Sequence, residues 1–139
     1  MTVKPRRLQD KINGRLDEKA PLIQVVIGPR QVGKTTALKG ALHGRGTYHS
    51  ADSPTPLSAD ILREWWKEAA ADTEKILAVD EIQKILGWSE VLKDLWDNGP
   101  KLKVVVTGSS ALLVEKGLKE SLAGRFELIR AEHWNLEEA

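Results

Sequence analysis

Residues 28–36 read GPRQVGKTT, in which a glycine and four further residues are followed by Gly-Lys-Thr. Phosphate oxygens need several converging N–H donors and a compensating positive charge, and a glycine-rich turn at the start of a helix supplies both. The spacing therefore predicts a loop that binds the phosphates of a nucleotide. The predicted phosphate-binding residues are Gly28, Pro29, Arg30, Gln31, Val32, Gly33, Lys34, Thr35 and Thr36.

Individual residues of this loop have distinct expected roles. Lys34 is expected to reach the β and γ phosphates, and the Thr35 hydroxyl is expected to coordinate Mg²⁺. Pro29 has no N–H group, so it can only stiffen the start of the loop. Arg30 is either an additional cation near the phosphates or a solvated side chain. A turn without a ligand is disfavoured, because the pattern follows an apolar run and precedes a helical one.

A pair of adjacent carboxylates ends another apolar run. In KILAVDEIQ, at residues 75–83, Asp80 and Glu81 follow Ile-Leu-Ala-Val. A parallel sheet presents such residues to a ligand at the carboxyl ends of its strands. Asp80 is therefore expected to hold Mg²⁺, and Glu81 is expected to orient or deprotonate the attacking water. An isolated Asp-Glu pair is more often a solvated strand end, but a phosphate loop in the same chain favours the catalytic interpretation.

The elements that must position these residues follow from the apolar pattern. Strands are predicted at residues 22–27, 47–51, 75–79, 102–107 and 126–131. Helices are predicted at residues 35–42, 60–71 and 89–98. Ser89 is the expected N-cap of the last helix, and residues 52–58 are expected to form a loop. The alternation of strands and helices predicts a parallel sheet with right-handed crossovers.

Composition limits the kind of protein. The chain has 139 residues, a net charge of +1 and no cysteine, which fits one domain over residues 1–139 and excludes disulfides. No apolar run approaches the roughly 18 residues of a membrane span, so no membrane partner is expected. The basic segment 1–20 lacks the apolar core of a secretory signal, so a cytoplasmic location is expected. Its basic residues are expected to form a solvated face, with nucleic-acid binding as the alternative: Lys4, Arg6, Arg7, Lys11 and Arg15.

Four segments together resemble the ATPase core of the AAA+ P-loop superfamily: GPRQVGKTT, ILAVDEIQK, VVVTGSSALL and SLAGRFEL. Within that superfamily the chain is most similar to a prokaryotic branch of archaeal and bacterial ATPases. The resemblance implies a three-layer α/β/α fold with a five-stranded parallel sheet in the order 5-1-4-3-2, and ATP and Mg²⁺ as ligands. It places Walker A at Gly28, Gly33, Lys34 and Thr35, and Walker B at Asp80 and Glu81.

The resemblance also implies two further contacts with the nucleotide. VVVTGSS lies where the family has sensor 1, so Thr107 or Ser109 would touch the γ-phosphate or the attacking water; the alternative is a turn whose hydroxyls cap the next helix. AGRF resembles the segment that supplies an arginine finger. Arg125 would then act in trans, contributed by a neighbouring copy in a homo-oligomer; the alternative is a surface arginine.

The family pattern breaks at the carboxyl end. AAA+ ATPases generally continue into a small helical lid, whereas this sequence ends in HWNLEEA soon after the fifth predicted strand. Either the sequence is a core that works without its lid, or it is a fragment in which residues 132–139 begin a region of a longer protein; we expect the fragment. Hydrolysis is then expected to be weak, because a lid and a neighbour's finger stabilise charge in the transition state.

Two functions fit these features. One is a Mg²⁺-dependent ATPase that converts ATP to ADP and phosphate as the core of a larger motor or switch protein. The other is a nucleotide-dependent binding switch for a DNA or protein partner, with negligible hydrolysis. A small-molecule kinase is disfavoured because no acceptor-substrate motif is present. A GTPase is disfavoured because no Asn-Lys-x-Asp segment follows a strand.

Overall fold

Five parallel strands form one sheet, and their carboxyl ends lie along one side of it, the carboxyl edge. The strands are β1 (Ile23–Ile27), β2 (Thr47–Ser50), β3 (Ile76–Asp80), β4 (Lys103–Gly108) and β5 (Phe126–Arg130). Their order is β2-β3-β4-β1-β5, and every neighbouring pair is parallel. Read from β5 to β2, this is the expected order 5-1-4-3-2, so the prediction is confirmed.

The structure is a computed structural model that describes residues 3–17, 22–28, 34–109 and 122–130. Side chains are described from residue 8 onward within these ranges. The expected start of a further region at 132–139 lies outside them. Of the helices within them, none combines the length and the apolar character that a bilayer crossing requires.

Helices cover both faces of the sheet, which makes the fold a three-layer α/β/α arrangement. The helices are α1 (Val3–Leu16), α2 (Lys34–Leu42), α3 (Ala59–Ala71) and α4 (Trp88–Asn98). Successive strand residues point to opposite faces, so Val25 packs in the core beneath α3 and α4, while Val26 packs in the core beneath α1 and α2. The central strands β1, β3 and β4 are buried on both sides, as their nearly continuous apolar runs predict, whereas the edge strands β2 and β5 are mostly only partly buried.

Helix α1 is an element that the sequence analysis missed. Residues 1–20 were expected only as a basic segment, yet Leu8, Ile12 and Leu16 recur at every fourth position and are buried against the sheet. The spacing is the signal for an amphipathic helix, hidden here by the basic residues between them. Arg15, next to Leu16 in the sequence, donates from Nε to the Glu127 carboxylate of β5 at 2.7 Å.

The start of α4 differs from the prediction. Ser89 was expected as the N-cap, but the helix begins at Trp88 and its N-cap is Gly87, in the left-handed region at φ 72°. Trp88 is 4% exposed, and its burial moves the N-cap two residues back from the position that capping preference indicates. Gly87 tolerates the left-handed conformation because it has no Cβ. The helices predicted at 35–42 and 60–71 are confirmed within one residue of each end.

A glycine turn sets the position of β2 against β3. Gly46 has φ 72°, and a Cβ there would lie 2.6 Å from the Ile76 carbonyl oxygen. Gly44, in the same turn, has φ 76° but no atom within 4 Å of such a Cβ. Of these two glycines, only Gly46 therefore allows the turn to approach the backbone of β3 closely.

We expect Gly46→Ala to destabilise the protein more than Gly44→Ala. Both changes place a Cβ in the left-handed region, at a cost of roughly 1–2 kcal/mol, but only the first also forces β2 away from Ile76. Urea unfolding of both variants measures the difference in free energy of unfolding. Equal losses in the two variants would show that the approach at Gly46 is not constraining.

Candidate functional site

The carboxyl ends of β1, β3 and β4 bring the predicted chemical groups together. Gly28 follows β1, Asp80 ends β3 and Gly108 ends β4. Helix α2 begins at Lys34, so its amino end faces the same edge of the sheet. A helix amino terminus carries unpaired N–H groups and partial positive charge, which favours an anion at this place.

The Lys34 ammonium is buried at this carboxyl edge of the sheet. It is 2% exposed and donates to the carbonyl oxygens of Gly28 at 2.6 Å and Gly108 at 2.7 Å. Its nitrogen is 3.9 Å from Glu81 Oε2. The positive charge is thus held between the ends of β1 and β4, beside one of the two predicted acidic residues.

The Asp80 carboxylate accepts hydrogen bonds from three hydroxyl groups. Oδ2 accepts from Thr35 Oγ1 at 2.5 Å and from the Tyr48 hydroxyl at 2.8 Å, and Oδ1 accepts from Thr107 Oγ1. Burial first, and then the hydrogen bond to Asp80, raises the pKa of Tyr48 well above its usual range. Tyr48 therefore keeps its proton and remains a donor at neutral pH.

Glu81 occupies a strained backbone conformation. It has φ 58° and ψ 48°, a left-handed geometry that costs a residue with a Cβ roughly 1–2 kcal/mol. Its N–H donates to Thr107 Oγ1 at 3.0 Å, and its Oε1 accepts from Gln83 Nε2 at 2.7 Å. The turn out of β3 is therefore fixed from both the backbone and the side chain, and it directs Oε2 toward Lys34.

Thr107 connects the two acidic residues. Its side chain is fully buried; the hydroxyl donates to Asp80 and accepts from the Glu81 N–H. Its one hydrogen is already donated, so in this geometry Thr107 positions the acidic pair. Ser109, just after β4, is partly exposed. The phosphate contact expected of Thr107 or Ser109 stays a prediction.

A protein-family profile described as AAA domain matches residues 20–139. That range spans most of the chain and includes every group described above. The chain belongs to the AAA domain family. No curated protein sequence matches it significantly.

Solved structures share the fold of this AAA domain. Two are RuvB of Thermotoga maritima, the T158V variant and the Holliday junction branch migration motor, with TM-scores of 0.64 and 0.66 and 16% identity to the chain. Each of these two alignments covers 95% of this chain and 46% of the RuvB chain. A DNA polymerase III gamma subunit-related protein of T. maritima has a TM-score of 0.61 and 12% identity, covering 97% of this chain and 47% of its own. The AAA domain thus spans about half the length of these proteins, and identities this low show the fold alone.

Arg125 of the AAA domain lies at the opposite edge of the sheet. Its carbonyl accepts from the N–H of Ile23, the first residue of β1, at 2.9 Å. Strand β1 has five residues and is about 16 Å long. Arg125 lies at one end of this strand and the Lys34 site at the other, and an arginine side chain is shorter than that distance. The Lys34 site of the same chain is therefore out of its reach.

The Arg125 guanidinium forms a bidentate ion pair with Asp97 near the end of α4. Nε and Nη2 donate to the two carboxylate oxygens at 2.8 and 2.9 Å. These hydrogen bonds raise the pKa of Arg125 and lower the pKa of Asp97. Both side chains remain partly exposed, at 28% and 34%, so the pair lies at the surface.

The described residues fit a nucleotide with Mg²⁺. Thr35 and Asp80 bring hydroxyl and carboxylate oxygens together at 2.5 Å, and oxygen is the ligand atom that Mg²⁺ prefers. Within the described ranges no group of three His, Cys, Asp or Glu side chains could hold a metal ion. Mg²⁺ in nucleotide sites is usually bound by one or two protein groups with phosphates and waters, so the small donor set matches that type of site.

Part of the predicted phosphate loop falls within the described residues. Gly28, Lys34, Thr35 and Thr36 are described, and Thr36 is exposed in the first turn of α2. The other predicted loop residues lie outside the described ranges: Pro29, Arg30, Gln31, Val32 and Gly33.

Sequence reasoning missed Tyr48 as a site residue. The segment 47–51 was predicted as a strand, and the implied order placed it beside the strand that ends at Asp80. A hydroxyl-bearing side chain on that neighbouring strand was the available signal. The reach of Tyr48 to Asp80 depends on the register, which pairs Tyr48 with Ala78 and Ser50 with Asp80.

We expect Thr107→Val to lower the free energy of unfolding by about 1–3 kcal/mol, because the Glu81 N–H and Asp80 Oδ1 lose their buried partner. Thr107→Ser loses only the methyl group and is the matched control. Urea unfolding of both variants provides the comparison. A valine variant as stable as the serine variant would show that the hydroxyl does not hold the acidic pair.

Proposed function

We propose that this AAA domain binds ATP with Mg²⁺ and hydrolyses it to ADP and phosphate, as the core of a larger motor or switch protein. One observation carries the proposal: Lys34, Thr35, Asp80 and Glu81 meet at the carboxyl edge of the sheet, at the amino end of α2. The lysine ammonium, the threonine hydroxyl and the two carboxylates are the kinds of group that phosphoryl transfer requires. The family match supports nucleotide binding, and the finer assignments below are part of the proposal.

Each residue has a role that its position supports. Lys34 is proposed to neutralise the β and γ phosphates, and the sequence pattern of 28–36 supports a backbone that supplies N–H donors to the phosphates. Thr35 and Asp80 hold Mg²⁺, which when bound offsets charge on the phosphate oxygens. Ser109 is the more exposed of the two sensor residues and is the proposed contact to the γ-phosphate, while Thr107 fixes Asp80 and Glu81 from behind.

Glu81 is the proposed general base. Its Oε2 lies 3.9 Å from the nitrogen of Lys34, the residue proposed to bind the terminal phosphate. Gln83 holds the other oxygen, so the carboxylate is oriented. It orients the attacking water and accepts a proton from it as the oxygen bonds to the γ-phosphorus and the bond to ADP breaks.

We expect Glu81→Gln to abolish hydrolysis while ATP still binds. A positioned base contributes roughly 10²–10⁴-fold to the rate, and glutamine keeps the shape but cannot accept the proton. Phosphate release measures hydrolysis, and a fluorescent ATP analogue measures binding. Glu64→Gln, on the exposed side of α3, makes the same chemical change away from the site.

Three results would contradict the proposal in different ways. Equal turnover in Glu81→Gln and the parent would remove Glu81 from the mechanism. A parent that binds ATP but releases no phosphate would favour the nucleotide-dependent switch. A parent that binds ATP no better than Lys34→Ala would remove the phosphate-binding role of Lys34.

Arg125 is proposed to complete the site of a neighbouring copy in a homo-oligomer. Its place at the opposite sheet edge excludes the site of its own chain, and its partial exposure leaves it accessible to another molecule. An arginine placed in trans would stabilise charge that develops on the γ-phosphate in the transition state.

Mixing two defective variants tests this arrangement. Arg125→Ala keeps the Lys34 site and Lys34→Ala keeps Arg125, so we expect each to be inactive alone and the mixture to hydrolyse ATP. Phosphate release over a range of mixing ratios is the measurement. Full activity of Arg125→Ala alone would make Arg125 a surface residue, and an inactive mixture would exclude action in trans.

A DNA or protein partner is part of the proposal. RuvB, which shares the fold, is named as a Holliday junction branch migration motor. The Glu81→Gln form, expected to retain ATP, is the appropriate sample for a DNA-binding titration at several salt concentrations. Binding to phosphates weakens as salt rises, and no salt-sensitive binding at physiological ionic strength would leave a protein as the partner.

A further inference from the structure

Tyr48 contacts the Asp80 carboxylate, although it belongs to neither nucleotide-binding motif. Its hydroxyl donates to Oδ2 at 2.8 Å. The same oxygen accepts from Thr35 at 2.5 Å. A hydroxyl that donates its hydrogen keeps its oxygen lone pairs for a cation. The position of Asp80 Oδ2, which accepts from both hydroxyls, therefore sets the position of the Thr35 oxygen.

The Tyr48 ring is held from two sides. Strand β2 is an edge strand, and Tyr48 pairs with Ala78 in the middle of β3. The ring packs against the core beneath α1 and α2, and the Lys39 ammonium of α2 lies 4.8 Å from its centroid. The hydroxyl is therefore carried by a fixed ring that reaches from the edge strand to the end of β3.

Without Tyr48, the donors to the Asp80 side chain among the described residues would come from α2 and β4. Thr107 binds the Oδ1 side, and Thr35 is itself a proposed metal ligand. Tyr48 is thus the donor to Oδ2 that has no other proposed role in the site. Groups that orient ligands in this way typically change metal affinity roughly 10–100-fold when they are removed.

We propose that Tyr48 is a positioning residue whose hydroxyl fixes the Asp80 carboxylate against Thr35 and thereby sets the Mg²⁺ affinity of the nucleotide site. The proposal rests on the function proposed above and adds a residue to it. A purely structural role of Tyr48 would reside in the ring, which packs β2 against α2.

Tyr48→Phe separates the two roles, because it removes the hydroxyl and keeps the ring and its contact with Lys39. We expect the Mg²⁺ concentration for half-maximal binding of a fluorescent ATP analogue to rise roughly 10-fold. Binding of the analogue in EDTA is expected to be unchanged, whereas the melting temperature without Mg²⁺ is expected to fall, because the buried Asp80 Oδ2 loses one of its two donors.

Two matched controls accompany this variant. Thr47→Val removes a hydroxyl from the same strand, where it donates to the Ile76 carbonyl at 3.4 Å and not to Asp80. Lys39→Met removes the cation from the ring and leaves the Tyr48 hydroxyl. Both are expected to keep the Mg²⁺ dependence of the parent.

The outcomes distinguish this inference from the function on which it rests. An unchanged or tighter Mg²⁺ half-point in Tyr48→Phe overturns the positioning role and leaves the ATPase proposal intact. An equal loss of binding with Mg²⁺ and in EDTA also overturns it, in favour of a structural role of the hydroxyl that does not depend on the metal. A parent chain whose nucleotide binding does not respond to Mg²⁺ overturns both.

Discussion

The buried carboxylate of Asp80 is the constraint around which the site is built. At 3% exposure it has lost its hydration, and a buried charge is tolerated only when hydrogen-bond donors or opposite charges replace the water. The donors are hydroxyls of Thr35, Tyr48 and Thr107, carried by α2, β2 and β4. The strand order sets β2 and β4 on either side of β3, so the fold and the solvation of this group depend on each other.

The same constraint accounts for the strained turn at Glu81. The chain must leave β3 immediately after Asp80, and the left-handed conformation makes that turn within one residue. Thr107 binds both the Asp80 side chain and the Glu81 N–H, so a single hydroxyl offsets part of the strain and part of the desolvation. Lys34 places an ammonium 3.9 Å from Glu81 Oε2, so among Lys34, Asp80 and Glu81 the acidic side chains outnumber the cation, which suits a divalent cation.

Sequence reasoning identified the parts of the site that are local in the chain. The spacing of the phosphate loop and the Asp80–Glu81 pair is visible in single segments, and the strand order came from the family resemblance. Tyr48 was missed because its contact depends on register between two strands about 30 residues apart, as Tyr48 and Asp80 show. Helix α1 was missed because charged residues mask its apolar stripe, and the burial of Trp88 overrode the capping preference of Ser89.

The distance between Arg125 and the Lys34 site determines the symmetry of any assembly that uses both. The two lie at opposite edges of the sheet, so one copy offers its amino edge while the next offers its carboxyl edge, which is a head-to-tail contact. A two-fold dimer satisfies such an arrangement only when its copies lie antiparallel, so that one interface holds Arg125 and the Lys34 site of each copy. An open head-to-tail row leaves one terminal site without an arginine, and closure of that row into a ring gives every nucleotide the same surroundings.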